Sequence, residues 1–244
     1  MRKKILAAAL AAVIIVTVWN YPMTYNIGID GELFKKKIPF YAKVCGFLYR
    51  DWSYKDLVRE IAGDEHDETN IALAILNWTH NNIMPGVPQG LKTMDDHPLN
   101  IIIRQYGAED QSEDVFTVLC SYAGMQADWG RCYSADRKSS IILSFVKVGG
   151  RWLVFDASKD KYFMNKQGNI AGIEDCADGN IVLSDKDAVA YKRYLDNVRE
   201  ASRQFSTRAD EQMPLRRIAL ILKNIFIRRP DRRDLLLKGA STQR

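Results

Sequence analysis

Apolar and polar residues alternate along this chain in rhythms that change from one region to the next. An unbroken uncharged apolar run fills Ile5 to Trp19. Further on, Ile71, Ala74, Ile75 and Trp78 follow the i, i+3, i+4, i+7 rule behind an acidic first turn, which predicts a helix over Asp67–Asn82. Leu99–Arg104 leads toward a second helix. Its approach is Tyr106–Gln111, its apolar body is Asp114–Ala123, and Gly124 closes it. The rhythm then shortens to that of strands over Gln126–Tyr133, Ser139–Val148 and Arg151–Asp156. Gly149-Gly150 joins the last two as a hairpin. A further hairpin is expected across Tyr162–Ile170 around Gln167-Gly168-Asn169, and a short strand at Ile181–Leu183. Asp185–Phe205 reads as a helix capped by Ser184, and Pro214–Arg229 as an amphipathic helix.

The remaining segments set the organisation. Residues 23–33 read as a linker with Gly28 and Gly31 near a turn. Glu32–Arg50 reads as a helix with Pro39 at a kink or boundary, and Tyr54–Ala62 as a short helix. Met84–Pro98 is a loop broken at Pro85, Gly86, Pro88, Gly90 and Pro98. Helices, then one central helix, then antiparallel strands, then helices make an α+β fold. The division is 1–22 N-terminal segment, 23–66 linker and first helices, 67–183 core, 184–213 C-terminal helix, and 214–244 basic helix and tail.

With 244 residues, the chain is long enough for one well-buried domain plus appendages. The net charge of +5 is concentrated in the tail, where Arg216, Arg217, Lys223, Arg228, Arg229, Arg232 and Arg233 outnumber Asp231 and Asp234. A nearly neutral core argues against nucleic-acid binding and for a basic tail with its own partner. The stripe Leu215, Ile218, Leu222 and Ile225 within residues 214–229 suits an anionic membrane surface, a partner protein, or packing on its own domain.

Arg2-Lys3-Lys4 ahead of the apolar run is a targeting pattern. The run is short for a spanning helix, which needs about 17–25 residues. The bulky Trp19-Asn20-Tyr21-Pro22 offers no small-residue cleavage site. The expectation is therefore an uncleaved signal anchor in a bacterial-type inner membrane, single-pass, with the domain outside by the positive-inside rule. Secretion to the periplasm after cleavage is the alternative. Cys45, Cys120, Cys132 and Cys176 have no zinc spacing, so no metal or cofactor is expected, and buried or unpaired thiols are favoured over a disulfide framework.

Gly107, the helix closed by Gly124, Phe116, Leu119, the Gly149-Gly150 turn, Trp152 and Asp156 together resemble the transglutaminase-like superfamily over about residues 67–160. The resemblance implies a papain/transglutaminase-like core, with the central helix packed on an antiparallel sheet and flanked by helices. It also implies a triad: a Cys two residues after Gly107, a His at the start of the next strand, and an orienting Asp at the end of the strand after it. A thiol at a helix N-terminus is activated by the dipole, and the His takes its proton. This chain has Glu109 at the Cys position, Ile141 at the His position, and only Asp156 in agreement. The implied protein leans away from catalysis, toward a membrane-anchored module that binds a peptide or an envelope polymer. Asp110, Gln111 and Trp152 are candidates for its cleft. Glu109 and Asp110 are also ordinary helix-start residues. The alternative is an active hydrolase or acyl transferase using the Glu109 and Asp156 carboxylates, or Cys120 or Cys132 with His97.

Overall fold

The computed structural model describes residues 2–29, 32–91, 97–202, 213, 216–219 and 222. Helix α1 (Arg2–Trp19) leads into an antiparallel hairpin, β1 (Pro22–Ile29) and β2 (Glu32–Pro39), paired from Pro22↔Pro39 to Ile29↔Glu32. The described residues of the expected linker at 23–33, and the first part of the expected Glu32–Arg50 helix, are thus strands. Pro39 is the boundary: it lacks an amide hydrogen and stands directly before α2 (Phe40–Ala62). That helix runs unbroken through the segment expected to be a separate helix at Tyr54–Ala62.

Helix α3 (Glu68–Asn82) starts at Asp67, whose carboxylate accepts the Asn70 N–H at 3.0 Å. Its buried stripe is Ala72, Ile75, Leu76 and Thr79, one position round from the predicted one. Strand β3 (Met84–Pro85) pairs in parallel with β4 (Tyr106–Gly107), and α4 (Pro98–Arg104) lies between them. Next comes α5 (Glu109–Tyr122), buried from Gln111 to Ser121.

Three strands fall where predicted: β5 (Gln126–Tyr133), β6 (Ser140–Val148) and β7 (Arg151–Asp156); β8 (Lys161–Tyr162) adds an edge to this sheet where a separate hairpin from Tyr162 is expected, and all four are antiparallel. Gly149 and Gly150 both have positive φ, +56° and +84°, as a two-residue primed turn requires. A 3-10 turn, Ala157–Lys159, follows β7. Strands β9 (Met164–Asn165) and β10 (Ile181–Val182) form a small second ladder around α6 (Ile173–Ala177). Ser184 caps α7 (Asp185–Leu195), and the expected single helix breaks before α8 (Val198–Ser202). The remainder of that expectation, and most of the Pro214–Arg229 helix, lie outside the described residues.

Alternation along the strands gives the sheet two buried faces. One face, with Val146, Leu153 and Phe155, packs on α5, α3 and α2 around Phe116, Leu119, Ile75 and Tyr54. The other, with Leu143, Phe145 and Val154, packs on α7 and α8 around Tyr191, Leu195 and Val198. The fold is thus mixed helix and sheet, with α5 laid along one face of a four-stranded antiparallel sheet.

Candidate functional site

The start of α5 is held by a glutamine. Gln111 Oε1 accepts the Ala108 N–H at 3.1 Å and an Arg104 N–H at 2.7 Å. A Cβ on Gly107 would meet that oxygen at 2.7 Å and Ile101 Cγ2 at 3.3 Å, so glycine is what lets the cap close. Glu109 and Asp110 fill the first turn, where an anion is favoured by the helix dipole. Glu109 points outward, with its side chain 55% exposed. Glu113, one turn further on, points inward and is fully buried.

Asp156 ends β7 and is also fully buried. Its carboxylate accepts Ser158 Oγ–H at 2.6 Å, the Tyr191 hydroxyl at 2.8 Å and the Lys159 N–H at 3.2 Å. The Lys159 ammonium stands 3.1 Å from Asp156 Oδ2 and 3.3 Å from Glu109 Oε1. Lys159 therefore bridges the Glu109 and Asp156 carboxylates. Partial burial pulls the Lys159 pKa down, but Asp156 and then Glu109 more than offset it, and the group is held above the usual lysine range.

Glu113 forms a second layer beneath this ion pair. It accepts Ser144 Oγ–H at 2.5 Å and the Ser158 N–H at 3.0 Å. Burial, and then the negative charge of Asp156, push its pKa well above the usual carboxyl range. The same two causes raise the Tyr191 hydroxyl. His80 on α3 reaches the same turn, with Nδ1 3.3 Å from the Ser158 carbonyl.

The other predicted residues are distributed differently. Ile141 packs into the core on the sheet face away from α5, as hydrocarbon. Asp110 is half-buried beside Glu109, and Gln111 is occupied as the helix cap. Trp152 also faces away from α5. It lines a cleft of about 370 Å³ with Arg151, Glu174 and Asp175, where Arg151 is ion-paired to Asp175 at 2.6 Å. Cys120 and Cys132 lie in opposite cores. Burial raises the Cys120 thiol well above the usual range and pushes Cys132 up to about 12. His97 Nδ1 accepts the Leu99 N–H at 3.3 Å at the start of α4. Among the described residues no group of three or more His, Cys, Asp or Glu could hold a metal ion.

The sequence reading missed Lys159, Glu113, Ser144 and Tyr191. Two of these carried a signal: Glu113 is one helical turn after Glu109, and Lys159 is three residues after Asp156.

No family model matches this sequence, and no curated protein matches it. Solved structures do. A chain from Cytophaga hutchinsonii named "Putative Cysteine Protease" is 16% identical with a TM-score of 0.39, covering 62% of this chain and 50% of its own. A "putative protease" from Parabacteroides distasonis is 14% identical with a TM-score of 0.36, covering 56% of this chain and 36% of its own. The chain thus spans half or less of the length of both. Likeness at this level assigns neither a family nor an activity.

Proposed function

We propose that this chain is a membrane-anchored domain with a transglutaminase-like, papain-like core whose triad no longer works as a thiol enzyme, and that it binds a peptide or an envelope polymer. The observation that carries this reading is Lys159. Its ammonium spans Glu109 and Asp156, at the positions the resemblance gives to a nucleophile and an orienting carboxylate. A carboxylate is a weaker nucleophile than a thiolate, and the ion pair with Lys159 weakens Glu109 further. A lysine held above its usual pKa stays protonated, so it is not a nucleophile. Hydrocarbon at Ile141 offers no base. The same ion pair neutralises Glu109 and Asp156 as an acid–base pair, which weighs against the carboxylate-enzyme alternative.

The anchor reading is supported by α1. From Ile5 to Trp19 the helix is apolar on every side and exposed along its length, and such a surface needs a non-aqueous partner. No described helix is long and apolar enough to cross a membrane. The anchor therefore has to rest on a thin bilayer, or on interfacial residues such as Tyr21 extending the span. The cytoplasmic end is then Arg2-Lys3-Lys4, and the domain is extracytoplasmic.

The test uses the full chain in detergent. Peptide hydrolysis and amine-for-amide acyl transfer are assayed with and without iodoacetamide, alongside cosedimentation with purified peptidoglycan sacculi and a panel of peptides. The expected result is no turnover, with saturable binding to one of these. Turnover that iodoacetamide abolishes overturns the proposal.

A further inference from the structure

The first half of α2 carries a surface that the core does not use. Tyr41, Cys45, Leu48, Tyr49 and Trp52 are all exposed, with Leu48 at 53%, Tyr49 at 58% and Trp52 at 61%. Their spacing places them on one side of the helix, within about 100° of arc at roughly 100° per residue. The opposite side holds Asp51, Tyr54 and Val58, which are buried against the domain. Beyond Trp52 the outward side turns polar, with Lys55, Asp56 and Arg59. The apolar part of the stripe therefore ends partway along the helix.

This patch begins where α1 ends. The Phe40 N–H donates to the Tyr21 carbonyl at 2.9 Å, and the Trp19 and Phe40 rings meet edge to face with centroids 6.0 Å apart. The hairpin that connects the two helices exposes Lys35, Lys36 and Lys37. Aromatic rings with polar tips, at the end of an exposed apolar helix and close in sequence to three exposed strand lysines that alternate between two faces, match the chemistry of a headgroup layer: rings at the acyl boundary and lysines on anionic phosphates.

The chain's own tail is the other available cover. Its described turn approaches a different side of α2, because Arg217 stacks over Phe47 at 5.2 Å. Phe47 is five residues before Trp52, or about 140° round the helix from it.

We infer that the Tyr41–Trp52 face of α2, with the Lys35–Lys37 edge of the hairpin, lies against an anionic lipid surface and sets the domain down flat on the membrane beside its anchor. The inference rests on the anchor reading of α1. The domain is then held close to the bilayer, and any ligand it takes must be reachable near the membrane surface.

Cys45 lies in the middle of this face, while Cys120, Cys132 and Cys176 are buried, so the native chain carries its own reporter. The full chain is labelled at Cys45 with a nitroxide and reconstituted into phosphatidylcholine vesicles with and without 30% phosphatidylglycerol. The label's relaxation by oxygen and by a water-soluble nickel chelate is then compared. The expected result is an oxygen-favoured label in anionic vesicles, shifted toward water in pure phosphatidylcholine and in a Lys35→Gln, Lys36→Gln, Lys37→Gln variant. A chain that resists an alkaline wash but leaves the label open to nickel overturns this inference and spares the anchor. A chain lost in the wash overturns both. Spin–spin broadening between labels, with neither relaxant reaching them, identifies a second copy as the occupant and overturns the lipid assignment.

Discussion

Lys159 reaches back from the turn after β7 to place its ammonium 3.1 Å from the fully buried carboxylate of Asp156. The pair is asymmetric, since the lysine side chain is 48% exposed while the aspartate has no exposure. Breaking a buried pair costs most when the buried partner is left uncompensated. Asp156 keeps three other donors, from Ser158, Tyr191 and the Lys159 backbone. The expected loss in Lys159→Met is therefore about 1–2 kcal/mol, after allowing for the solvent around the lysine. Glu109→Gln, which removes only an exposed partner, is expected to cost about 0–0.5 kcal/mol. Urea denaturation of the single and double variants measures this. A larger coupling of Lys159 to Glu109 than to Asp156 would show the pairing to be wrong.

Glu113 makes stability depend on pH in a definite direction. Its pKa is raised in the fold by burial and by Asp156, so the native chain holds this proton more tightly than the unfolded chain does. Stability from this group is complete below the ordinary carboxyl pKa of about 4.3 and is lost as pH rises through the native value, at up to about 1.4 kcal/mol per pH unit. Lys159, which also titrates above its ordinary range, contributes nothing to this window. Glu113→Gln keeps an oxygen for the Ser158 N–H and offers a donor to Ser144. It is expected to remove the loss and to be as stable as the native chain, or more so, at pH 8. Denaturation midpoints from pH 5 to 8 test this, and an unchanged slope in the variant would count against it. Asp156→Asn is expected to shrink the same slope, because it takes away the second cause of the shift.

The parts of this architecture that the sequence made legible are those where one rule acts alone. Strands β5 to β7 alternate in hydrophobicity, and Gly149-Gly150 can make a two-residue turn with both φ angles positive. The hairpin β1–β2 was not legible, because Lys35-Lys36-Lys37 conceals any alternation and no buried face demands one. The face of α3 was misjudged because Thr79 is in the core. Its hydroxyl donates to the Ile75 carbonyl at 2.8 Å, so a polar letter fills an apolar position. The site was half legible. Glu109 and Asp156 both reach Lys159, but nothing in the spacing singles out Glu113 as a buried group. Only the fold shows that Ser144 and the Ser158 N–H satisfy it from the sheet side.

Gly107 is expected to matter through Gln111 rather than through its own φ. Adding a methyl group at 107 forces the Gln111 carboxamide away from the Ala108 N–H. Gly107→Ala should then destabilise by about 1 kcal/mol, the usual worth of a lost N-terminal cap. Gln111→Ala should cost a similar amount, and the double variant little more than either alone, because both remove the same bond. Additive losses in thermal or urea unfolding would mean that Gly107 acts independently of the cap.

The thiols give the most direct check on the proposal that no cysteine is activated. Cys120 is fully buried and its pKa is well above the usual range, while Cys132 and Cys176 are pushed up to about 12. An activated thiolate reacts readily at mildly acidic pH, whereas an ordinary exposed thiol needs pH near its own pKa of about 8.5. Incubation of the full chain in detergent with iodoacetamide at pH 5.5 should therefore leave every cysteine unmodified. At pH 8, peptide mapping should find Cys45 alkylated, with the other three protected until denaturant is added. Alkylation of Cys120 or Cys132 at pH 5.5 would mean a thiolate that this packing does not contain, and would return the chain to the thiol enzymes.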